Sequence, residues 1–539
     1  MYLVGLVENM FKNIFFVILS FLISSCTLKP QLDNPKSSSI FDFHNLSLRE
    51  KVAQMIMVRV RGDYYHSNHW YRKSLNKWIA NDGIGGVITF GGSVHGTFYN
   101  ISNYQKWAKI PLLVSADYER GLGQWMRGGT LFPSNMALAA SGDTSLAYLQ
   151  GKITGVEAKA IGVHIAFSPV MDVNNNPSNP IINFRSYSDS PELVRDFGNS
   201  FINGLQSTGI YACAKHFPGH GNTNIDSHSS LPIINGTKNE LESVELKPFK
   251  SAVKNGVKMI MVGHIAMPGL DSLNVPASFS KSITSNLLRK DWGFDGLIIT
   301  DGMEMGGLTE STSAAEAAIL AVEAGADILL LPMDVDNTIN SLVLAVENGR
   351  LSEERINQSV ERIWKAKTEL NLFKESKPSW ANVEKNIGIP QNTKIADKIA
   401  EKSITIVKDI NREFPLRPQE IQKLNHLILS TDEGAPDMLK SFLSNVKNTH
   451  PNVEEIYVTQ PISNIRSGEI IKKSKIADKT LVTLLVRIRM DKGISTIDST
   501  HANLIEKLNQ ENINFVVVGF GSPYLPSYDY IDSYLCAYG

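Results

Sequence analysis

Residues 215–232 read K-H-F-P-G-H-G-N-T-N-I-D-S-H-S-S-L-P, which sets Lys215, His216, His220, Asp226 and His228 within one short stretch. The apolar run 209–214 ends abruptly at Lys215 and His216, and a Pro-Gly pair, a second Gly and a polar loop follow. Short apolar runs bounded by turn residues read as buried strands, so Lys215 and His216 are expected at a strand end and Asp226-Ser227-His228 in the loop after it. Asp226 and His228 are two residues apart, and in an extended segment that spacing puts both side chains on one face. The carboxylate can then orient the imidazole and stabilise its charged form. Histidine titrates near neutrality, so it can donate a proton and later take one back. Gly219 and Gly221 lie between the two groups, where the chain must turn sharply and could flex.

A second chemistry-bearing position is Asp301, which ends the run G-L-I-I-T-D at 296–301 and leads into G-M-E-M-G. A carboxylate at the end of a buried strand is aimed by its backbone. Glycoside hydrolysis with retention needs such a carboxylate as nucleophile and a proton donor on the other side of the scissile bond. Two other readings use the same residues. In a metal-dependent barrel hydrolase His216, His264 and Asp301 would be ligands, but no H-x-H lies on the first apolar run, 54–60. A non-catalytic sugar-binding protein would not need Asp301, Asp226 and His228 together. No metal site is expected, and no Gly-rich phosphate loop or dinucleotide fingerprint calls for a cofactor.

The elements that must position these residues follow from the pattern of the chain. Apolar runs at 54–60, 85–90, 112–117, 163–170, 210–216, 258–264, 296–301 and 326–332 alternate with helical periodicity, as at 144–160, 191–208, 240–255 and 313–324. Eight such units predict a (β/α)8 barrel with parallel strands covered on both sides. Reading the run ends gives Asp117, Asp172, Lys215 with His216, His264, Asp301 and Asp334. The C-terminal ends of barrel strands are where sites lie, so a polar pocket is expected there. Residues 41–376 are assigned to the barrel and 377–395 to a linker. Residues 396–539 carry further runs at 403–407, 426–430, 455–459, 480–486 and 514–520, read as a smaller α/β sandwich. The chain stops soon after an apparent strand, so this domain is expected to be incomplete.

Bulk properties agree with a soluble enzyme-sized chain. It has 539 residues, a net charge of −1, 42% hydrophobic and 20% charged residues. The near-zero charge gives no sign of a nucleic-acid partner. Three cysteines, at 26, 213 and 536, exclude a disulfide framework. Residues 1–26 read as a signal peptide whose I-S-S-C ending resembles a bacterial lipobox. Cys26 would then carry a lipid, residues 27–40 would be a tether, and the protein would be an exported lipoprotein anchored to a membrane of the bacterial cell envelope. A monomer is expected.

The motifs together resemble family three glycoside hydrolases, in the β-N-acetylglucosaminidase branch. K-H-F-P-G-H-G…D-S-H with L-P beyond is similar to that branch's signature, and T-D-G-M-E-M to the family's nucleophile motif. D-Y-E-R-G at 117–121, F-S-P-V-M-D-V at 167–173 with R-S-Y at 185–187, and P-A-S-F-S at 276–280 resemble further family stretches. The resemblance is strong over about residues 45–375. It implies a carbohydrate substrate, with Asp301 as nucleophile, His228 as acid/base and Asp226 as its partner. It also implies that Asp117, Arg185, Lys215, His216 and Met303 bind the sugar. The implied reaction is release of terminal β-linked N-acetylglucosamine from peptidoglycan-type or chitin-type oligosaccharides. Phosphorolysis, and action on β-glucosides, stay open. Arg120 and Trp125 depart from the family pattern D-x-E-G-G-R-V-Q-R, and Arg127 is the candidate to replace the lost arginine.

Overall fold

The computed structural model describes residues 42–309, 312–374, 378–488 and 493–538. The signal segment, Cys26 and the tether lie outside the described residues. Eight strands form the first sheet: β1 (Ile56–Gly62), β2 (Gly86–Gly92), β3 (Leu113–Ala116), β4 (Ile165–Ala166), β5 (Tyr211–Phe217), β6 (Met259–Val262), β7 (Leu297–Thr300) and β8 (Leu329–Leu330). They run in the order β7-β6-β5-β4-β3-β2-β1-β8, every pair parallel. A parallel bridge between Ile299 and Ile328 joins the two ends into a barrel. All eight expected runs carry a strand.

The runs form parallel strands because they are apolar on both faces. β3, β5, β6 and β7 are buried at every residue, one face lying in the barrel interior and the other under helices. β4 is shorter than the run 163–170. Pro169 has no N–H to give to a ladder, and pairing resumes only as an isolated bridge between Val170 and Lys215. The covering helices start where the sequence caps them. Asp143 accepts from Ser145 N–H ahead of the helix Thr144–Ala160, and Ser190 with Pro191 opens Pro191–Gln206.

The stretch 378–395 is largely helical, with Trp380–Asn386 followed by the start of Pro390–Ser403. It is fastened to the barrel by Glu157. This buried carboxylate accepts from the Thr130 N–H (3.0 Å) and hydroxyl (2.5 Å), the Gly388 N–H (3.0 Å) and the Asn392 amide (2.8 Å). Beyond it lies a six-stranded sheet of β9 (Thr405–Asp409), β10 (Leu424–Leu429), β11 (Val453–Val458), β12 (Lys479–Val486), β13 (Phe515–Gly521) and β14 (Ser533–Cys536). Its order is β11-β10-β12-β13-β14-β9, with only β9 antiparallel to its neighbour. Apolar clusters on both faces, around Leu427, Val482 and Leu508 and around Leu424, Leu481 and Val516, make it a sandwich. Its loops reach the barrel beside the loop after β4. There Asn174 donates to the Tyr524 hydroxyl (3.1 Å) and Asn183 to the Ser495 carbonyl (3.4 Å). Among the described residues no helix is long and apolar enough to cross a membrane.

Candidate active site

The C-terminal ends of β3, β4, β5, β6 and β7 bring their polar residues to one mouth. β3 runs out into Asp117 and Glu119, and β5 carries Lys215. The Lys215 ammonium donates to Asp117 Oδ1 at 2.6 Å and lies 2.8 Å from Glu119 Oε1. Arg185, from the loop after β4, holds Glu119 with two parallel bonds, Nε to Oε2 at 3.0 Å and a terminal nitrogen to Oε1 at 2.8 Å. Burial alone would neutralise these groups. It raises the Glu119 carboxyl, but the charges of Arg185 and Lys215 outweigh it and hold Glu119 well below the usual carboxylate range. Burial lowers Lys215, and Asp117 and Glu119 more than restore it. The result is a charge-balanced set of two cations and two carboxylates. Such a set offers donors and acceptors without demanding a charged ligand, which suits a neutral polyhydroxylated one.

His216 is set by Asp172. The fully buried Asp172 carboxylate takes the His216 Nδ1 contact at 2.7 Å and accepts the backbone N–H groups of His216 (3.2 Å) and His220 (2.7 Å). Burial raises its carboxyl, and the two histidines reverse this and lower it. With Nδ1 committed, only Nε2 of His216 remains for a ligand. The Lys215–His216 peptide is cis.

Asp226 and His228 face each other as their spacing predicts. His228 Nδ1 lies 2.7 Å from Asp226 Oδ1, and the His228 N–H donates to the same oxygen at 2.9 Å. Asp226 is buried and the His228 side chain is a quarter exposed, 3% against 25%. Burial lowers the imidazole's proton affinity, but the Asp226 hydrogen bond and the Asp301 and Asp226 charges raise it above the ordinary 6.5. Asp301, directly after β7, accepts from the Gly302 N–H at 2.8 Å. Burial raises its carboxyl, and His216, His264 and His228 outweigh that and bring it down to about 2. Asp301 and His228 therefore sit close enough for each charge to shift the other. The shifts run in opposite directions, favouring the ionised form of Asp301 and the protonated form of His228.

One expectation changes. The segment with Gly219 and Gly221 is clasped rather than free. Asn179 donates to the carbonyls of His220 and Gly221, both at 2.9 Å. A Cβ on Gly221 would lie 1.7 Å from the Val173 carbonyl oxygen, so glycine is needed there for close backbone approach. Met303 and Arg127 stand apart from the hydrogen-bonded cluster. Met303 is buried, with its N–H on the Leu330 carbonyl (2.9 Å). Arg127 is exposed, and its backbone pairs with Gly92 at the end of β2 and with Val94 just past it. His264 is also not placed to bind a metal. Its Nδ1 meets the Ser278 hydroxyl (2.9 Å) and its Nε2 the Gly302 carbonyl (3.1 Å), so both ring nitrogens are taken. Among the described residues no cluster of three or more His, Cys, Asp or Glu is arranged to hold a metal ion.

Glu119 was not singled out from the sequence, although it joins Lys215 to Arg185. The signal was present, because Glu119 follows Asp117 by two residues at a strand end and so shares its face.

Comparison with known proteins identifies the family. A beta-hexosaminidase A of Pseudoalteromonas piscicida is 31% identical over 402 residues, covering 68% of this chain and 65% of the relative. A beta-N-acetylglucosaminidase/beta-glucosidase of Cellulomonas fimi is 30% identical over 376 residues, with the same 68% and 65% coverage. The match thus spans just under two thirds of the length of these relatives. The solved structure of a glycoside hydrolase family 3 beta-N-acetylglucosaminidase from Paenibacillus sp. str. FPU-7 superposes with a TM-score of 0.78 at 29% identity, covering 92% of this chain and 94% of that one. Residues 47–366 match the glycosyl hydrolase family 3 N terminal domain. This chain belongs to glycosyl hydrolase family 3.

Proposed function

We propose that the protein is a retaining exo-β-N-acetylglucosaminidase that removes terminal β-linked N-acetylglucosamine from peptidoglycan-type or chitin-type oligosaccharides. The observation that carries this reading is the Asp226–His228 pair, held 2.7 Å apart and electrostatically coupled to Asp301. Asp117, Lys215, Arg185 and His216 bind the sugar hydroxyls. The Asp301 carboxylate attacks the anomeric carbon while the glycosidic C–O bond breaks, and His228 gives its proton to the departing oxygen. Neutral His228 then takes a proton from water, which attacks the same carbon and releases Asp301 as carboxylate. Asp226 holds Nδ1 throughout, so the transferable proton is the one on Nε2. The names of the Pseudoalteromonas and Paenibacillus relatives support the choice of sugar.

The test is turnover of chromogenic β-N-acetylglucosaminide and β-glucoside, with and without phosphate. The wild type is expected to prefer the N-acetylglucosaminide and to release free sugar. His228→Ala is expected to lower kcat by ~10²- to 10⁴-fold, the range for a lost general acid/base, and Asp301→Asn to abolish turnover. Equal rates for wild type and Asp301→Asn would remove Asp301 from the mechanism, and sugar phosphate as the product would make the protein a phosphorylase.

A further inference from the structure

The Asp226–His228 arm does not stand alone in the mouth. Its backbone rests on the turn that follows the nucleophile. The Gly306 N–H donates to the His228 carbonyl at 3.0 Å, and the Gly307 N–H to the Ser227 carbonyl at 3.1 Å. Both glycines open the short helix Gly306–Thr309, a few residues after Asp301. The approach is too close for a side chain. A Cβ at Gly306 would lie 2.6 Å from the carbonyl oxygens of both His228 and Ser229, and one at Gly307 would lie 3.0 Å from the Ser227 oxygen.

The turn is itself anchored. Gly302 is held through its carbonyl by His264 Nε2, and Glu304 is ion-paired with Arg59 of β1. A further contact comes from the loop after β5, where His220 Nε2 meets the Ser227 hydroxyl at 2.8 Å and the His220 N–H is fixed on Asp172. Ser227, between the acid/base and its partner, is thus gripped by side chain and by main chain.

We propose that Gly306 and Gly307 are positioning residues that dock the acid/base arm onto the nucleophile's own turn, so that one rigid element sets where both reacting groups stand. This rests on the roles proposed above for Asp301 and His228. Undocking the arm moves the proton donor away from the glycosidic oxygen and leaves Asp301 in place. The defect must therefore depend on the leaving group. A misplaced acid cannot help an alkoxide depart, whereas a dinitrophenolate leaves without a proton. A misplaced base cannot activate water, whereas azide attacks the glycosyl-enzyme without needing one and releases a glycosyl azide and free Asp301.

The experiment compares Gly306→Ala and Ser227→Ala with wild type on a chitobiose-type disaccharide and on dinitrophenyl β-N-acetylglucosaminide. It also follows backbone hydrogen exchange of residues 222–230. In Gly306→Ala, kcat/KM for the disaccharide is expected to fall by ~10²-fold, as for a reacting group displaced by about 1 Å. For the dinitrophenyl sugar it is expected to stay within a few-fold of wild type. Azide is expected to raise turnover of that substrate, and exchange in 222–230 to rise. Ser227→Ala adds no bulk and is expected to show the same pattern more weakly. A parallel loss on both substrates with no azide response would overturn the proposal, as would unchanged exchange in 222–230 for both variants. Failure of the wild type to cleave either sugar would count against the proposed function, and the exchange data would still decide the docking.

Discussion

His228 owes its proton affinity to opposing influences that can be removed one at a time. Burial lowers it, and the Asp226 bond and the Asp301 and Asp226 charges raise it to a net value above 6.5. In the proposed mechanism the protonated form is the acid, so kcat/KM is expected to fall as pH rises through this pKa. Asp301, at about 2, stays ionised through any ordinary assay range. Asp226→Asn removes an influence that raises the imidazole, so the basic limb of the pH profile is expected to move to lower pH. A limb that stays in place would show that Asp226 does not set the acid. This pair was legible in the sequence because a D-x-H spacing carries its geometry locally. The Glu119 connection was not, since its partners Lys215 and Arg185 lie 96 and 66 positions along the chain and meet it only through the fold.

At the scale of elements, Glu119 at the end of β3 ties Lys215 of β5 to Arg185 of the loop after β4. Glu119→Gln leaves Lys215 and Arg185 short of a buried counter-charge. Breaking a buried pair from one side costs ~3–5 kcal/mol, so a lower denaturation midpoint and a higher KM are expected together. A raised KM with unchanged stability would mean that Glu119 touches substrate instead of bracing its neighbours. The eight barrel strands could be read from the chain because each is an apolar run closed by a turn or an ionisable residue. β14 could not, because it is a four-residue strand in a stretch rich in Tyr, Ser and Asp, recognisable only once β13 and β9 pair on either side of it. The glycines at 219 and 221 misled in the opposite direction. Local chemistry suggested freedom there, whereas Val173 and Asn179, distant in sequence, supply the close packing.

For the whole molecule, Glu157 is the clasp between the barrel and the helices that lead to the second sheet. It satisfies donors on Thr130, Gly388 and Asn392. Each buried donor left without a partner costs ~1–3 kcal/mol. Glu157→Ala is therefore expected to lower the Tm and to broaden the calorimetric transition as the two sheets lose cooperativity, while KM changes little. A single sharp transition at the wild-type temperature would show that the second domain is held by other contacts.

The carboxylate of Asp172 has a consequence in terms of redundancy. Lys215 has a spare: two carboxylates hold it, and losing one leaves the other. Asp172 has none, since His216 Nδ1 and the N–H groups of His216 and His220 occupy both its oxygens. An amide in its place would bring a donor against His216 Nδ1 and reverse the role of that ring nitrogen. His220 in turn carries Ser227, so one failure there would disturb sugar grip and proton transfer at the same moment. Asp172 holds His216 of the proposed sugar clamp directly and the proposed proton-transfer arm through His220, so it is a point of failure that the two have in common.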